Sequence, residues 1–283
     1  MRRLDASLCS VNTATLGFRA PLEDTVEAVA RAGFGAIAPW RREIEGRDVA
    51  RLARHIRAAG LSVSGYCRSA DIPAATAADF AAGLETNRRA IEAAAELGAT
   101  AFILVVGGLP GDSRDLAAAR AQVREGIAIL AEQARACGVR LALEPLHPMY
   151  AADRACLNTL AQALDLCAAL EPAPAGPPVL GVAVDVYHVW WDPLLAEGIA
   201  RAGAERRLLA FHVCDWRRPT RDMLNDRAMM GDGVIDIRAI RSQVEAAGFG
   251  GFVETEIFSV LDWWRRPPEE VLATCRQRLE TVV

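Results

Sequence analysis

The chain has 283 residues, of which 52% are hydrophobic and 24% charged, so it contains enough apolar sequence for a large folded core. Its formal net charge of −4 leaves no basic surplus of the kind that a nucleic-acid-binding protein needs. Its apolar runs are shorter than the roughly 18 residues that a membrane span requires. We therefore expect a globular protein that has neither nucleic acid nor a membrane as its partner.

The cysteines and the first residues bear on the cellular compartment. The seven cysteines are scattered and form no Cys-x-x-Cys pair, which predicts neither a disulfide framework nor a zinc finger. The opening "MRRLDASLCS" lacks the apolar segment of a secretory signal peptide. We therefore expect reduced thiols in a cytoplasmic protein.

Short apolar runs alternate with longer helix-forming stretches along the chain. The runs are typical of parallel strands that are buried on both faces, and they cover 4–11, 34–40, 61–67, 100–106, 140–146, 180–186, 208–214 and 251–257. Stretches rich in Ala, Leu, Glu and Arg predict helices over 23–32, 47–59, 79–97, 117–136, 159–170, 193–203, 236–248 and 268–282. A glycine follows five of these helices and is expected to close them.

Eight strand–helix units predict an α/β fold, a (β/α)₈ TIM barrel that forms a single domain over residues 1–283. The alternative is an open doubly wound sheet, for example in an NAD enzyme. The first strand is not followed by Gly-x-Gly-x-x-Gly, which weighs against the dinucleotide-binding version. The proline-rich "EPAPAGPP" at 171–178 predicts a loop before the sixth strand rather than a domain linker.

Side chains that can bind a metal stand at the ends of the last four predicted strands. In a barrel of this type the functional groups lie at the carboxyl ends of the strands. A charged side chain at the end of a buried strand is costly unless a partner or an ion compensates it. The candidates are Glu144 after the fifth strand, Asp185 and His188 after the sixth, His212 and Asp215 after the seventh, and Glu254 and Glu256 after the eighth.

Four of these residues are expected to converge on one divalent cation: Glu144, Asp185, His212 and Glu256. Three carboxylates at one point repel each other strongly unless a cation offsets their charge. The set is rich in oxygen and has one imidazole, which suits Mn²⁺, Mg²⁺ or Co²⁺ better than a closed structural zinc site. We expect Mn²⁺ first, with Mg²⁺, Co²⁺ or Zn²⁺ as the alternatives.

The remaining charged candidates have more than one interpretation. His188 follows Asp185 by three residues and is expected to reach over a substrate. Asp215 either binds the ion or orients a ligand from behind it. Glu254 shares a strand face with Glu256, because side chains alternate along a strand. Glu254 either supports a metal ligand from behind, or it forms an ion pair with Arg217 or Arg218.

Two further residues in loops after strands are candidates for substrate contact. His147 precedes a proline and is interpreted as a loop residue, with substrate contact as the alternative. Trp40 follows the second apolar run and is one of six tryptophans. Such side chains pack in a core or offer a flat face on which a sugar ring stacks. Both interpretations stay open for Trp40.

The motifs "LALEPL", "GVAVDVYHVWWDP", "LLAFHVCDW", "MMGDGVIDIRAI" and "GFGGFVETEIFS" resemble those of the sugar phosphate isomerase/epimerase superfamily, the xylose isomerase-like TIM barrels. The resemblance covers nearly the whole chain and is strongest from residue 140 to 266. It implies one divalent metal held from the last four strands. It favours Glu256 over Glu254 as the ligand, because the family's glutamate lies five residues after a turn glycine, here Gly251. It also implies substrate contacts from His188 and from Arg217 or Arg218.

The chain departs from its relatives in two respects. Ketose 3-epimerases of this superfamily carry a further substrate-binding glutamate where this chain has Tyr150, which weakens a strict assignment to that activity. The superfamily's apurinic endonucleases bind three zinc ions through many histidines. This chain has four histidines in all, and it has no basic patch for a phosphate backbone.

The resemblance implies a metal-dependent isomerase or epimerase that acts on a ketose or keto-polyol through a metal-stabilised enediolate. Glu144 and Glu256 would be catalytic, one removing a proton beside the carbonyl and the other returning it. Elimination of a β-hydroxyl would instead make the protein a lyase or dehydratase of a keto-inositol or a related compound. A third alternative is a non-catalytic sugar-binding or partner subunit. The sequence shows no basic loop cluster, so we expect an unphosphorylated sugar or polyol, and a homo-oligomer stays open.

Overall fold

An eight-stranded parallel sheet stands at the centre of the computed structural model, which describes residues 1–173 and 176–283. The strands run in the order β3-β2-β1-β8-β7-β6-β5-β4. A parallel bridge between Tyr66 and Phe102 joins the two outer strands and closes the sheet into a barrel. The strands are β1 Cys9–Asn12, β2 Ala36–Ala38, β3 Ser62–Val63, β4 Phe102–Leu104, β5 Leu141–Leu143, β6 Leu180–Asp185, β7 Leu208–Val213 and β8 Val253–Thr255.

One long helix follows each strand, as a (β/α)₈ barrel requires. The helices are α1 Leu22–Arg31, α2 Val49–Ala58, α3 Ala77–Leu97, α4 Leu116–Cys137, α5 Leu160–Leu170, α6 Leu195–Ala204, α7 Ile237–Ala246 and α8 Pro268–Thr281. Every end lies within two residues of the predicted one, and all five glycines at the predicted helix ends have positive φ. The predicted barrel fold is confirmed.

Side-chain caps fix where several of the barrel helices begin. The side chains of Asp48, Thr76, Asp115, Thr159 and Asp236 each accept a hydrogen bond from a backbone N–H in the first turn of the helix that follows. Such caps satisfy N–H groups that have no partner within the helix. In four of these helices a closing glycine marks the other end as well, and Thr159 caps the helix that lacks one.

The barrel interior changes from apolar to polar along the strands. One part is filled by small and medium apolar side chains, among them Ala142, Ala183 and Ala210, with Cys67 beside them. Asn12, where β1 ends, and the side chains of the β8 end are polar yet buried. Buried polar groups need hydrogen-bond partners, so the polar part of the interior must form a connected network.

Some predicted boundaries differ from those observed. The strands are shorter than the apolar runs that predicted them, and residues 6–8 of the first run form a 3₁₀ helix. In the predicted loop at 171–178, residues 174 and 175 lie outside the described residues. All seven cysteines are free, and six of them are buried. Among the residues that the structure describes, the helices lack the combined length and apolarity that crossing a bilayer demands.

Candidate metal centre

The four predicted ligands lie together where the last four strands end. Each offers one ligand atom, and these atoms all lie within 4.8 Å of one another. The strand register explains this placement, because His212 on β7 pairs directly with Asp185, where β6 ends. Glu144 and Glu256 follow the last residues of β5 and β8. All four side chains are buried, so the structure brings together the residues that the sequence suggested.

His212 presents its two ring nitrogens to different carboxylates. Nδ1 lies 3.1 Å from Glu144 Oε1 and 3.9 Å from Glu256 Oε2, whereas Nε2 lies 3.6 Å from Glu254 Oε1. Burial lowers the pKa of His212, but Glu254 and Glu144 raise it, and the net result lies well above its usual value. Histidines that bind metals usually direct the second nitrogen at a carboxylate or carbonyl. Glu254 has this position relative to His212.

The donor set fits a divalent cation. Three carboxylates and one imidazole nitrogen face one point in a buried space. Burial raises the pKa of Glu256 to about 8, with Arg227 opposing and the charge of Glu144 adding to the increase. An ion of charge +2 would stabilise the carboxylate form of these groups, and oxygen-rich sets of this kind suit Mn²⁺, Mg²⁺ and Co²⁺.

Arg227 is a central residue of the site that the sequence analysis missed. Its Nη1 lies 2.9 Å from Asp185 Oδ2 and 3.1 Å from Glu256 Oε2, and its Nη2 lies 3.1 Å from His188 Nε2. The guanidinium packs against the rings of Tyr187 and Phe258. The sequence signal that could have identified it is its position. It lies in the loop region after β7, four residues before the first glycine of "GDG".

Arg217, which we predicted to contact a substrate, does not line the cavity among the described residues. Arg217 directs Nε at Asp226 Oδ1, 3.2 Å away, and Nη2 at Asp262 Oδ2, 3.3 Å away. Both contacts lie in the loops above the barrel, and the neighbouring Arg218 is exposed. Arg227 reaches the site instead, because the short strand Arg227–Ala228 returns the chain alongside Asp215–Trp216.

Asp215, which we predicted to bind the ion or to orient a ligand, contacts the backbone instead of a candidate ligand. Its carboxylate accepts backbone hydrogen bonds at 2.8–3.0 Å from Trp216, Gly231, Gly233 and Ile235. A Cβ at Gly233 would collide with this carboxylate, which explains the glycine. Asp215 therefore holds the "GDG" loop in place and has no remaining oxygen for a metal ligand.

Glu254 lies inside the barrel and not in an ion pair with Arg217 or Arg218. Its Oε1 accepts a hydrogen bond of 2.9 Å from Asn12 Nδ2, and its Oε2 accepts one of 2.7 Å from Ser64 Oγ. The alternative of a surface ion pair is therefore wrong. These two hydrogen bonds hold Glu254 beside His212 Nε2, where its carboxylate supports the imidazole ring.

Asn12 links Glu254 to the candidate metal ligands. Its Nδ2 also donates to Glu256 Oε1 at 3.0 Å, and its Oδ1 accepts from Trp40 Nε1 at 2.6 Å. The sequence analysis missed Asn12, although it is the last residue of β1. Reading the ends of all eight strands, rather than only the last four, would have found it.

A small cavity of ≈30 Å³ opens beside the candidate ligands. Glu144, Glu256, Trp40 and His188 line it, and for all four the sequence analysis considered catalysis or substrate contact. Burial lowers the pKa of His188 to about 3, although Asp185 opposes this, so the ring is neutral at ordinary pH. A substrate group that enters this cavity would meet both carboxylates and the neutral ring of His188.

His147 does not line the cavity among the described residues. Its ring packs against Trp216 and Trp191, with ring centroids 5.1 and 5.6 Å apart. Its backbone N–H lies 3.3 Å from His188 Nδ1. These contacts agree with the interpretation of His147 as a loop residue, and its contact with a substrate stays a prediction.

Residues 217–226, here called the lid loop, form part of the cavity wall. Leu224 lines the cavity. The hydroxyls of Tyr150 and Tyr187 both donate to the backbone carbonyl of Met223, the latter at 2.7 Å. Tyr150, which stands where ketose 3-epimerases have a glutamate, therefore holds this loop over the site.

Comparison with known proteins agrees with this architecture. The family model for xylose isomerase-like TIM barrels matches residues 26–280. The solved structure of protein SMc04130 from Sinorhizobium meliloti 1021 is 52% identical, with a TM-score of 0.92 over 97% of this chain and 98% of that one. The solved structure of an IolI protein with a bound zinc atom is 18% identical, with a TM-score of 0.82 over 97% of each chain.

One curated relative has a named activity. Inosose isomerase from Bacillus velezensis is 27% identical over 157 residues, which are 54% of this chain. The match spans about half of the relative, 52% of its length. The family match over residues 26–280 covers most of the chain and agrees with the observed barrel. The chain belongs to the xylose isomerase-like TIM barrel family.

Proposed function

We propose that the protein is a divalent-metal-dependent isomerase or epimerase of a ketose or keto-polyol. The observation that carries this proposal is the buried convergence of one histidine and three carboxylates at the carboxyl end of the barrel. The named activity of the inosose isomerase relative and the zinc atom of the IolI structure support it. The proposed ligands are Glu144, Asp185, His212 and Glu256, with Mn²⁺ as the proposed ion.

The ion would supply one part of the chemistry and the protein the rest. When bound, a divalent cation acts as a Lewis acid for negative charge that develops on a sugar carbonyl oxygen. Glu144 and Glu256 both line the cavity, so a C–H beside that carbonyl would have a carboxylate within reach. One carboxylate removes the proton and the other returns it. Return to the opposite face gives an epimer, and return to the neighbouring carbon gives an isomer.

Other side chains would hold the substrate and the two carboxylates in place. Arg227 and His188 adjoin each other at the cavity and would contact hydroxyl oxygens of the sugar. Asn12 fixes Glu256 through a hydrogen bond and connects it to Glu254. Preorganised donors and charges of this kind cost little rearrangement during reaction. The lid loop would open to admit the sugar and close to exclude water.

Solvent-deuterium exchange tests this proposal. Mn²⁺-loaded protein is incubated in D₂O with ketoses and keto-inositols, and NMR follows deuterium at the carbon beside the carbonyl. The proposal predicts exchange that Glu144→Gln and Glu256→Gln each reduce at least 100-fold. Glu245→Gln, a change on helix α7 near the N-terminus of the chain, is the matched control and should retain exchange.

The products separate the remaining alternatives. A new epimer or isomer supports the proposed reaction, whereas loss of water from the substrate identifies a lyase. Exchange that persists undiminished in both glutamine variants would contradict the assigned roles. Metal binding without exchange on any compound would favour a sugar-binding subunit over an enzyme.

A further inference from the structure

Two more arginines line the cavity beside the candidate metal centre. Arg68 follows β3 and Arg154 lies in the loop region between β5 and α5, and both side chains face the same space as Glu144 and Glu256. Arg68 Nη1 and Arg154 Nε are buried atoms that have no hydrogen-bond partner within residues 1–173 and 176–283. The cavity therefore has guanidinium donors that the described protein atoms do not use.

The carboxylates nearby are engaged elsewhere. Glu144 lies against His212, whereas Asp185 and Glu256 both lie against Arg227. Arg68 has one carboxylate contact, from its Nη2 to Asp71 Oδ1 at 3.4 Å, and the Asp71 side chain is 51% exposed.

The positive charge of Arg154 is offset even less than that of Arg68. Its guanidinium lies 5.8 Å from the centre of the Tyr150 ring, and the described residues place no carboxylate within ion-pair distance of it. Burial lowers the pKa of Arg68, Asp71 raises it, and the positive charge of Arg154 lowers it further. The two guanidinium groups thus act on each other as like charges, and an anion between them would relieve that repulsion.

Arginine is suited to this kind of recognition. Its planar group offers parallel N–H donors that match the oxygens of a carboxylate or a phosphate. A buried donor without a partner is costly, and a ligand that supplies the acceptor removes that cost. Neutral sugar hydroxyls would satisfy the hydrogen bonds but would add no negative charge beside the two guanidinium groups.

We propose that the substrate is an acidic sugar or polyol whose carboxylate or phosphate group binds Arg68 and Arg154. The keto-hydroxyl end of the same molecule would face Glu144 and Glu256, so this inference rests on the proposed function. It replaces the expectation of an unphosphorylated substrate, which was based on the apparent lack of a basic loop cluster. The loops after β3 and β5 bring the two arginines together, although they are far apart in the sequence.

Three probes that differ at one carbon test the proposal. D-fructose, D-fructuronate and D-fructose 6-phosphate share the keto-hydroxyl end and carry a hydroxyl, a carboxylate or a phosphate at C6. Each is titrated into the Mn²⁺-loaded protein by calorimetry. One or both charged probes should bind at least tenfold more tightly than fructose. Preference for fructuronate assigns a sugar acid, and preference for the phosphate ester assigns a sugar phosphate.

Arginine variants show which residues provide the preference. Arg68→Gln and Arg154→Gln should each weaken binding of the preferred charged probe about 10- to 100-fold. Their affinity for Mn²⁺ should not change, which also shows that the site has folded. Arg124→Gln, at an exposed arginine of α4, is the matched control and should bind like the parent protein.

Failure of this inference and failure of the proposed function give different results. Equal affinity for all three probes, or no binding of either charged probe, would overturn the acidic substrate while Mn²⁺ binding and exchange still stand. Unchanged charged-probe binding in both glutamine variants would also overturn it. If the protein does not bind Mn²⁺ but its two arginines still favour a charged probe over fructose, the metal-dependent reaction is refuted and the anion site stands.

Discussion

Arg227 Nη1 lies 2.9 Å from Asp185 Oδ2, so a permanent positive charge contacts the candidate metal centre. The same nitrogen lies 3.1 Å from Glu256 Oε2. The guanidinium thus offsets part of the charge of two proposed ligands and, through Nη2, adjoins His188. The arrangement connects the metal centre to the side of the cavity where a substrate would bind.

Replacing Arg227 should destabilise the metal-free protein and make its stability depend on metal. Arg227→Met leaves two buried carboxylates without their cationic partner, which costs about 3–5 kcal/mol. Urea unfolding in EDTA measures this loss, and Mn²⁺ should restore a large part of it. Arg276→Met removes an exposed ion pair on α8 and should change stability by less than about 1 kcal/mol. Equal losses for both variants would contradict the role of Arg227.

Replacing Asn12 tests the network between β1 and β8. Asn12→Asp keeps the shape but removes donors to Glu254 and Glu256 and adds a like charge, so we expect a loss of about 1–3 kcal/mol. Asn225→Asp makes the same change beside Asp222 in the lid loop, where water screens the charge, and should cost little. Thermal unfolding in EDTA compares the two. Similar melting temperatures for both variants would show that the network contributes nothing.

Asp215 should stabilise the "GDG" loop without affecting the affinity for metal. Asp215→Asn directs an amide group at backbone N–H donors and should cost about 1–3 kcal/mol. Hydrogen exchange at the amides of Gly231, Gly233 and Ile235 should become faster. Calorimetry should give the same Mn²⁺ dissociation constant as for the parent protein. A tenfold weaker affinity with normal amide protection would restore the original interpretation of Asp215 as a support for a ligand.

The lid loop should open more often when its two tyrosine contacts are removed. Tyr150→Phe combined with Tyr187→Phe deletes both hydrogen bonds to the Met223 carbonyl. Each bond contributes about 0.5–1.5 kcal/mol, so trypsin cleavage after Arg221 should become about tenfold faster. Tyr66→Phe, at a buried tyrosine of the barrel, is the control. An unchanged cleavage rate in the double variant would exclude these bonds as the closing contacts.

The fold and the four proposed ligands could be predicted because they depend on local pattern and strand register. Apolar runs alternate with helix-forming stretches eight times, a glycine closes five of the helices, and the register of adjacent strands places Asp185 beside His212. Arg227 could not be predicted in the same way. It reaches the site through the path of the loop region after β7, and its spacing from the strand does not fix that path.

The polar contacts of the site were harder to predict for a related reason. Asp215 and His212 are both charged or polar residues near the end of β7, yet one binds backbone amides and the other faces carboxylates. The sequence around the end of β7 does not show which of the two residues contacts backbone amides and which faces the carboxylates. Arg68 and Arg154 meet only because two distant loops fold over the same cavity. Such tertiary contacts leave little signal in a single sequence.

Metal-dependent stability tests the central claim most directly. The melting temperature of EDTA-stripped protein is measured alone and with Mn²⁺, Mg²⁺, Co²⁺ or Zn²⁺. A ligand at about 100 times its dissociation constant adds about 2.7 kcal/mol of stability, which for a chain of this size raises the melting temperature by several degrees. We predict such a rise, with Mn²⁺ effective, and its loss in Glu144→Gln but not in Glu245→Gln. No rise with any of the four ions would contradict a metal centre at Glu144, Asp185, His212 and Glu256.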